Sequence, residues 1–187
     1  MKNPLAVYCR NREFRQTLIN SRGRLYRIAF SWCHDHHLSD DLVQETMAKA
    51  LKHAKQLRDK SAVQSWLFGI MNNCWRDHLR RQKDMDNIDD IVLHSDDAPE
   101  NDFERQDVKR LIRKHMEQLN IGQRQVISLV DLQGFAYEEV SKILDIPIGT
   151  VMSRLSRARK QLADSLLESM PAQDKKSHNN KTLRRVI

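Results

Sequence analysis

The stretch YEEVSKILDIPIGTVMSRLSRARKQL, residues 137–162, leaves little freedom in how it folds. Val151, Leu155, Ala158 and Leu162 recur at steps of four, three and four, so a helix stacks them on one face. That face requires an apolar partner. Val140, Ile143 and Leu144 supply one just upstream, with Phe135 and Tyr137 close by. Between the two runs stands Asp145-Ile146-Pro147, where the proline discourages the first helix from continuing. Two short helices, a tight break and a basic second helix make a helix-turn-helix.

The outward arc of the second helix holds Met152, Ser153, Ser156, Arg157 and Lys160. In the usual docking of this motif, the N-terminal half of such an arc meets base edges in the major groove. Arg157 can bond a guanine bidentately, worth about 1–3 kcal/mol of discrimination. Arg154, Arg159 and Lys160 suit phosphates, adding affinity that falls with salt. A solvated amphipathic helix in an ordinary bundle would share the apolar period. The break length, the flanking helix and the basic arc coincide here, and together they favour DNA contact.

The remainder also reads as helix, and the fold class expected is all-α: two small helical domains joined by a flexible acidic linker, the second carrying the helix-turn-helix. Gly (5) and Pro (4) are scarce and 30% of residues are charged, which argues against sandwiches and barrels. One helix is expected over 14–34, with a break near Gly23. A turn over 34–39 follows, with Ser39 capping a second helix that runs to about Gln56 and carries Asp40 and Asp41 in its first turn. A polar loop, Arg58 to Ser61, leads to a third helix over about 61–82. Its inner stripe is Val63, Trp66, Leu67, Ile70, Cys74 and Leu79, and Asn72, Asn73, Arg76, Asp77, Arg80, Arg81 and Lys83 lie on the other face. Trp75, one step off that stripe, is either an exposed aromatic or a satellite core contact. Further helices are expected over 103–119, 122–132, 137–144 and 148–167.

Charge divides the chain in the same places. Residues 84–104 hold nine acids and no Lys or Arg, so 16 of the 25 acids remain elsewhere against 32 bases. Two basic bodies thus flank an acidic connector, and basic surface points to a polyanionic partner. The expected organisation is a flexible terminus 1–13, a helical domain 14–83, a linker 84–104, a helix-turn-helix domain 105–168 and a disordered basic tail 169–187. Cys9, Cys33 and Cys74 are widely spaced and unlike a disulfide framework, which suits a reduced, cytoplasmic setting. No apolar run approaches a membrane span, and the first twenty residues carry no apolar signal core.

LVDLQGFAYEEVSKILDIPIGTVMSRLSRARKQL resembles the C-terminal domain of sigma-70-family transcription initiation factors, in particular the compact extracytoplasmic-function (ECF) group. DDLVQETMAKAL and SWLFGIMNNCWRDHLRRQ resemble the same family's core-polymerase-binding helix and −10-element helix, in the matching order, and the likeness spans about 14–168. The resemblance implies a promoter-specificity subunit of bacterial RNA polymerase with no cofactor and no catalytic site. It places Asp41, Val43, Gln44, Glu45 and Met47 against the polymerase, and Arg58, Asp59, Lys60 and Ser61 where the family captures a flipped base of the melted −10 element. It also places Asn73, Arg76, Arg80 and Arg81 along −10 DNA, with Met152, Ser153, Arg154, Ser156, Arg157, Arg159 and Lys160 at the −35 duplex. Trp66 falls where the family packs a core side chain. Met152 departs from the basic residue that many relatives carry, which leaves the −35 sequence open. An anti-sigma protein is the further partner the resemblance implies.

Cys33-His34-Asp35-His36-His37 has the composition of a metal site, yet four ligands on one short turn cannot all converge tetrahedrally, and the resemblance assigns an interhelical turn there. No metal is therefore expected. A dimeric helix-turn-helix regulator would need a two-fold interface and a ligand or receiver domain, and would leave DDLVQET unexplained. An enzyme acting on nucleic acid would need a P-loop, a nuclease carboxylate set or an activated nucleophile, and the chain shows none.

Overall fold

A computed structural model describes residues 4–57, 59, 61–85 and 111–169. Among the described residues all regular structure is helical. The chain divides into two compact units, each built of helices. The connector from residue 86 and the tail from residue 170 lie outside the described residues.

In the first unit α1 spans Pro4–Cys33, α2 spans His36–Lys52 and α3 spans Val63–Met85. Helix α1 begins inside the stretch read as a flexible terminus, and it runs through Gly23 without interruption. Glycine costs a helix interior about 0.5–1 kcal/mol relative to alanine, too little to break a helix whose Leu18, Leu25, Ile28, Ala29 and Trp32 are all buried. The helix ends where His34 turns left-handed (φ 55°). The next cap is Asp35 rather than Ser39: its extended backbone frees the carboxylate to accept from the Leu38 amide at 2.9 Å. Ser39 lies a turn inside α2, buried, with its hydroxyl donating to the Asp35 carbonyl. Helix α2 also stops earlier than the sequence suggested, and a single 3-10 turn, Ala54–Gln56, follows it.

Helix α3 is rotated from its expected seat. Leu67, Phe68, Met71, Asn72, Cys74 and Trp75 are buried, whereas Val63, Trp66, Ile70 and Leu79 are only half-buried. The reason is that α3 packs on both α1 and α2, so it needs a wider apolar arc than one stripe supplies. Trp75 is therefore a core side chain, ring-stacked on His78 with centroids 5.7 Å apart. Trp66 packs at the margin against Phe14, centroids 6.2 Å apart.

In the second unit residues 111–117 form α4, α5 spans Ile121–Ile127, α6 spans Tyr137–Leu144 and α7 spans Ile148–Ser169. Asn120 caps α5 by accepting from the Gln123 amide at 3.0 Å, and the Gln123 side chain accepts from the Asn120 amide at 3.1 Å. A wide π turn, Ser128–Leu132, prolongs α5. It closes at Gly134, whose φ of +77° suits a residue without a Cβ. Met116, Leu119, Val126, Ile127, Leu129, Val140, Ile143, Leu144, Val151, Leu155, Ala158 and Leu162 are the buried apolar side chains here.

Candidate nucleic-acid interface

The helix-turn-helix is built as its sequence requires. Glu139 accepts from the Ala136 amide at 2.9 Å and starts α6. Asp145 takes the left-handed conformation that stops it (φ 55°, ψ 51°). Pro147 then opens α7, its carbonyl accepting from Thr150 at 2.9 Å and Val151 at 3.2 Å. Val151 and Ala158 are fully buried, and Leu155 and Leu162 nearly so, on a helix that packs against both α5 and α6. The opposite arc is open: Met152 is 53% exposed, and Ser153, Ser156, Arg157 and Lys160 are exposed with it.

Two cations expected at phosphates are engaged within the domain. The Arg159 guanidinium bonds both carboxylate oxygens of Asp131 in the π turn, with Nε to Oδ2 at 3.0 Å. This pairing, together with Tyr137, holds the guanidinium above its ordinary pKa despite partial desolvation. Half-buried Arg154 lays its guanidinium on the first turn of α5, where a Cβ on Gly122 would stand only 2.9 Å from Nη1. Neither Asp131 nor Gly122 was marked by the sequence. Each lies about thirty residues from its arginine, beyond the reach of any helical period.

In the first unit Asn73, Arg76 and Arg80 recur at steps of three and four on the exposed face of α3, with exposed Arg81 alongside. Arg80 also reaches Asp77 at 3.3 Å. On α2, Asp41 and Gln44 are exposed and Glu45 and Met47 half-buried. Val43 is fully buried, so it supports this face from the core and cannot lie on it, contrary to the expectation from sequence. The surface is tied to α3 by Lys49, whose ammonium stands 2.9 Å from Glu45 and 3.6 Å from Asp77. The hydrogen bond to Glu45 raises the lysine pKa. Cys74, beside this group, has a thiol pushed up chiefly by burial.

In the loop before α3, Arg58 and Lys60 lie outside the described residues. Asp59 and Ser61 are exposed and locked together: the Asp59 carboxylate accepts from the Ser61 amide at 2.8 Å and the Ser61 hydroxyl at 2.7 Å, which holds it below the usual carboxylate range.

The histidine-rich turn is filled by its own contacts. His36 stacks on Phe30 with centroids 4.5 Å apart and shares a 2.6 Å hydrogen bond with Tyr26. The Cys33 sulfur lies 3.2 Å from the Ser39 hydroxyl, and burial raises its pKa. Among the described residues no group of three His, Cys, Asp or Glu side chains is placed to hold a metal ion. Nor is any described helix long and apolar enough to cross a membrane.

Comparison with known proteins accounts for both units. Sigma-70 region 2 matches residues 18–84, and sigma-70 region 4 matches residues 109–162. The ECF RNA polymerase sigma-E factor of Haemophilus influenzae is 30% identical, over 67% of this chain and 73% of that protein. The ECF RNA polymerase sigma factor SigM of Bacillus subtilis is 31% identical, over 74% and 85%. The sigma factor RpoE of Bartonella quintana, crystallised in complex with the anti-sigma factor NepR, superposes with a TM-score of 0.67 at 29% identity, covering 84% of this chain and 99% of that one. Two helical units carrying regions 2 and 4 in that order identify the chain as a member of the sigma-70 family, an RNA polymerase sigma factor of the ECF group.

Proposed function

We propose a division of labour between the two units of this transcription initiation factor. The exposed α2 face of Asp41, Gln44, Glu45 and Met47 docks on core RNA polymerase, an acidic and amide-bearing surface suited to a basic protein partner. Asn73, Arg76, Arg80 and Arg81 follow −10 DNA along α3, and the loop 58–61 captures a flipped base. There Asp59 shapes the loop, since its carboxylate is already occupied by Ser61. Val43 is left out of the docking set because it is buried.

In the second unit α7 reads the −35 duplex. Met152, Ser153, Ser156 and Arg157 face base edges, and Lys160 reaches phosphate. The acidic segment after α3, to residue 104, is the tether that lets the two units meet their elements separately. The factor supplies specificity while the polymerase performs the chemistry, which places it in the cytoplasm with its enzyme. An anti-sigma protein that masks these surfaces is the partner suggested by the complex of RpoE with NepR.

The observation that carries this reading is the presence of region 2 and region 4, in order, on two separate basic units. Run-off transcription tests it: the purified chain, added to sigma-free core polymerase on fragmented genomic template, should produce discrete start sites. Absence of initiation at every promoter would overturn it.

A further inference from the structure

The cations of α7 are not presented alike. Arg157 and Lys160 project from the exposed arc, whereas Arg159 turns back to Asp131 and accounts for both of its carboxylate oxygens. The Asp131 side chain is only 9% exposed, and the arginine side chain 47%. Both oxygens of this sheltered acid are held by the guanidinium it faces. Withdrawing Arg159 to meet a phosphate would leave a sheltered, uncompensated charge, which costs far more than parting an exposed ion pair. The planar fork also fixes direction, since two parallel charge-assisted bonds define the orientation of the arginine and so of the helix that carries it. With Tyr137 of α6 beside the same guanidinium, the contact joins the π turn, α6 and α7.

We propose that Asp131 is a positioning residue for −35 reading: it holds Arg159 within the domain, so that Arg159 seats α7 and takes no phosphate, leaving Arg157 and Lys160 as the cationic edge that meets DNA. This rests on α7 being the DNA-facing helix.

The test uses holoenzyme assembled from the full chain and core polymerase, bound to a promoter duplex recovered with the wild-type holoenzyme, across a salt series well below the melting temperature. Lys160→Gln should flatten the slope of log affinity against log salt by about 0.9, the loss of one phosphate contact. Arg159→Gln should leave that slope unchanged while lowering the melting temperature. Asp131→Asn, which releases the guanidinium toward DNA, should steepen the slope by up to about 0.9. Arg159→Lys keeps the charge but not the fork, and should lower the melting temperature as Arg159→Gln does. A flattened slope for Arg159→Gln, an unchanged slope for Asp131→Asn, or a wild-type melting temperature for Arg159→Lys would each overturn the assignment. If instead Arg157→Gln and Lys160→Gln change neither slope nor promoter choice, the reading of α7 as the DNA-facing helix fails.

Discussion

Ser141 and Ile146 hold each other twice across the helix-turn-helix break: the Ile146 amide donates to the Ser141 carbonyl at 3.1 Å, and the Ser141 hydroxyl donates to the Ile146 carbonyl at 2.6 Å. The first bond brings a second donor to a carbonyl that already accepts from the Asp145 amide, which tightens the end of α6. The second fixes the peptide that leads into Pro147, and with it the entry angle of α7. Ser141→Ala should cost about 1 kcal/mol, the ordinary net worth of one hydrogen bond. Urea unfolding of the full chain would register this as a lower midpoint with an unchanged slope. A midpoint equal to wild type would mean that the turn is set by Asp145 and Pro147 alone.

Helix α1 offers a test of opposite sign. Gly23 is exposed mid-helix, its φ is not positive, and an added Cβ would find nothing within 4 Å. Gly23→Ala should therefore stabilise the first unit by about 0.5–1 kcal/mol, chiefly by restricting the unfolded chain. Thermal unfolding would show the gain. A loss would mean that the helix does bend at Gly23.

The stripe Val151, Leu155, Ala158 and Leu162 was readable because α7 has one buried face, and one face gives one period. Helix α3 meets both α1 and α2, so its buried arc takes in Trp75 and Asn72, and a single-stripe reading left both outside. The reading of Ser39 as the α2 cap missed Asp35, a residue type equally able to cap. The choice depends on where α1 stops, and that is fixed by the left-handed turn at His34, which no local pattern announces. Of the candidate site, the exposed arcs were legible from helical spacing. The pairing of Arg159 with Asp131 and the seat of Arg154 on Gly122 were not, since both are set by tertiary packing.

The Asp59–Ser61 turn should respond to acid. The folded carboxyl is held below its ordinary value by the Ser61 hydroxyl and amide, so its contribution to loop order is fully present above the unfolded aspartate pKa and is lost as pH falls through the lower, folded one. In an NMR titration the Ser61 amide should shift with a midpoint below the usual carboxylate range. Asp59→Asn should abolish that titration and leave the rest of the spectrum in place. A midpoint at the ordinary aspartate value would show that the turn does not persist in solution.

Met152 carries the sharpest prediction for promoter choice. Its side chain is 53% exposed on the arc opposite the buried stripe, so it can be exchanged without disturbing the core. Surface changes of this kind usually alter stability by no more than about 0.5 kcal/mol. Methionine offers a base edge only apolar contact, whereas arginine offers a bidentate donor pair suited to guanine, worth about 1–3 kcal/mol of discrimination. Met152→Arg should therefore leave the melting temperature near wild type and redirect the holoenzyme toward duplexes with a guanine at one −35 position. Selection from a randomised −35 library would read this as an enrichment of about 5- to 150-fold at that position, the same energy expressed as a ratio. Equal base frequencies there for both proteins would mean that residue 152 does not reach a base edge and that the register of α7 in the groove must be redrawn.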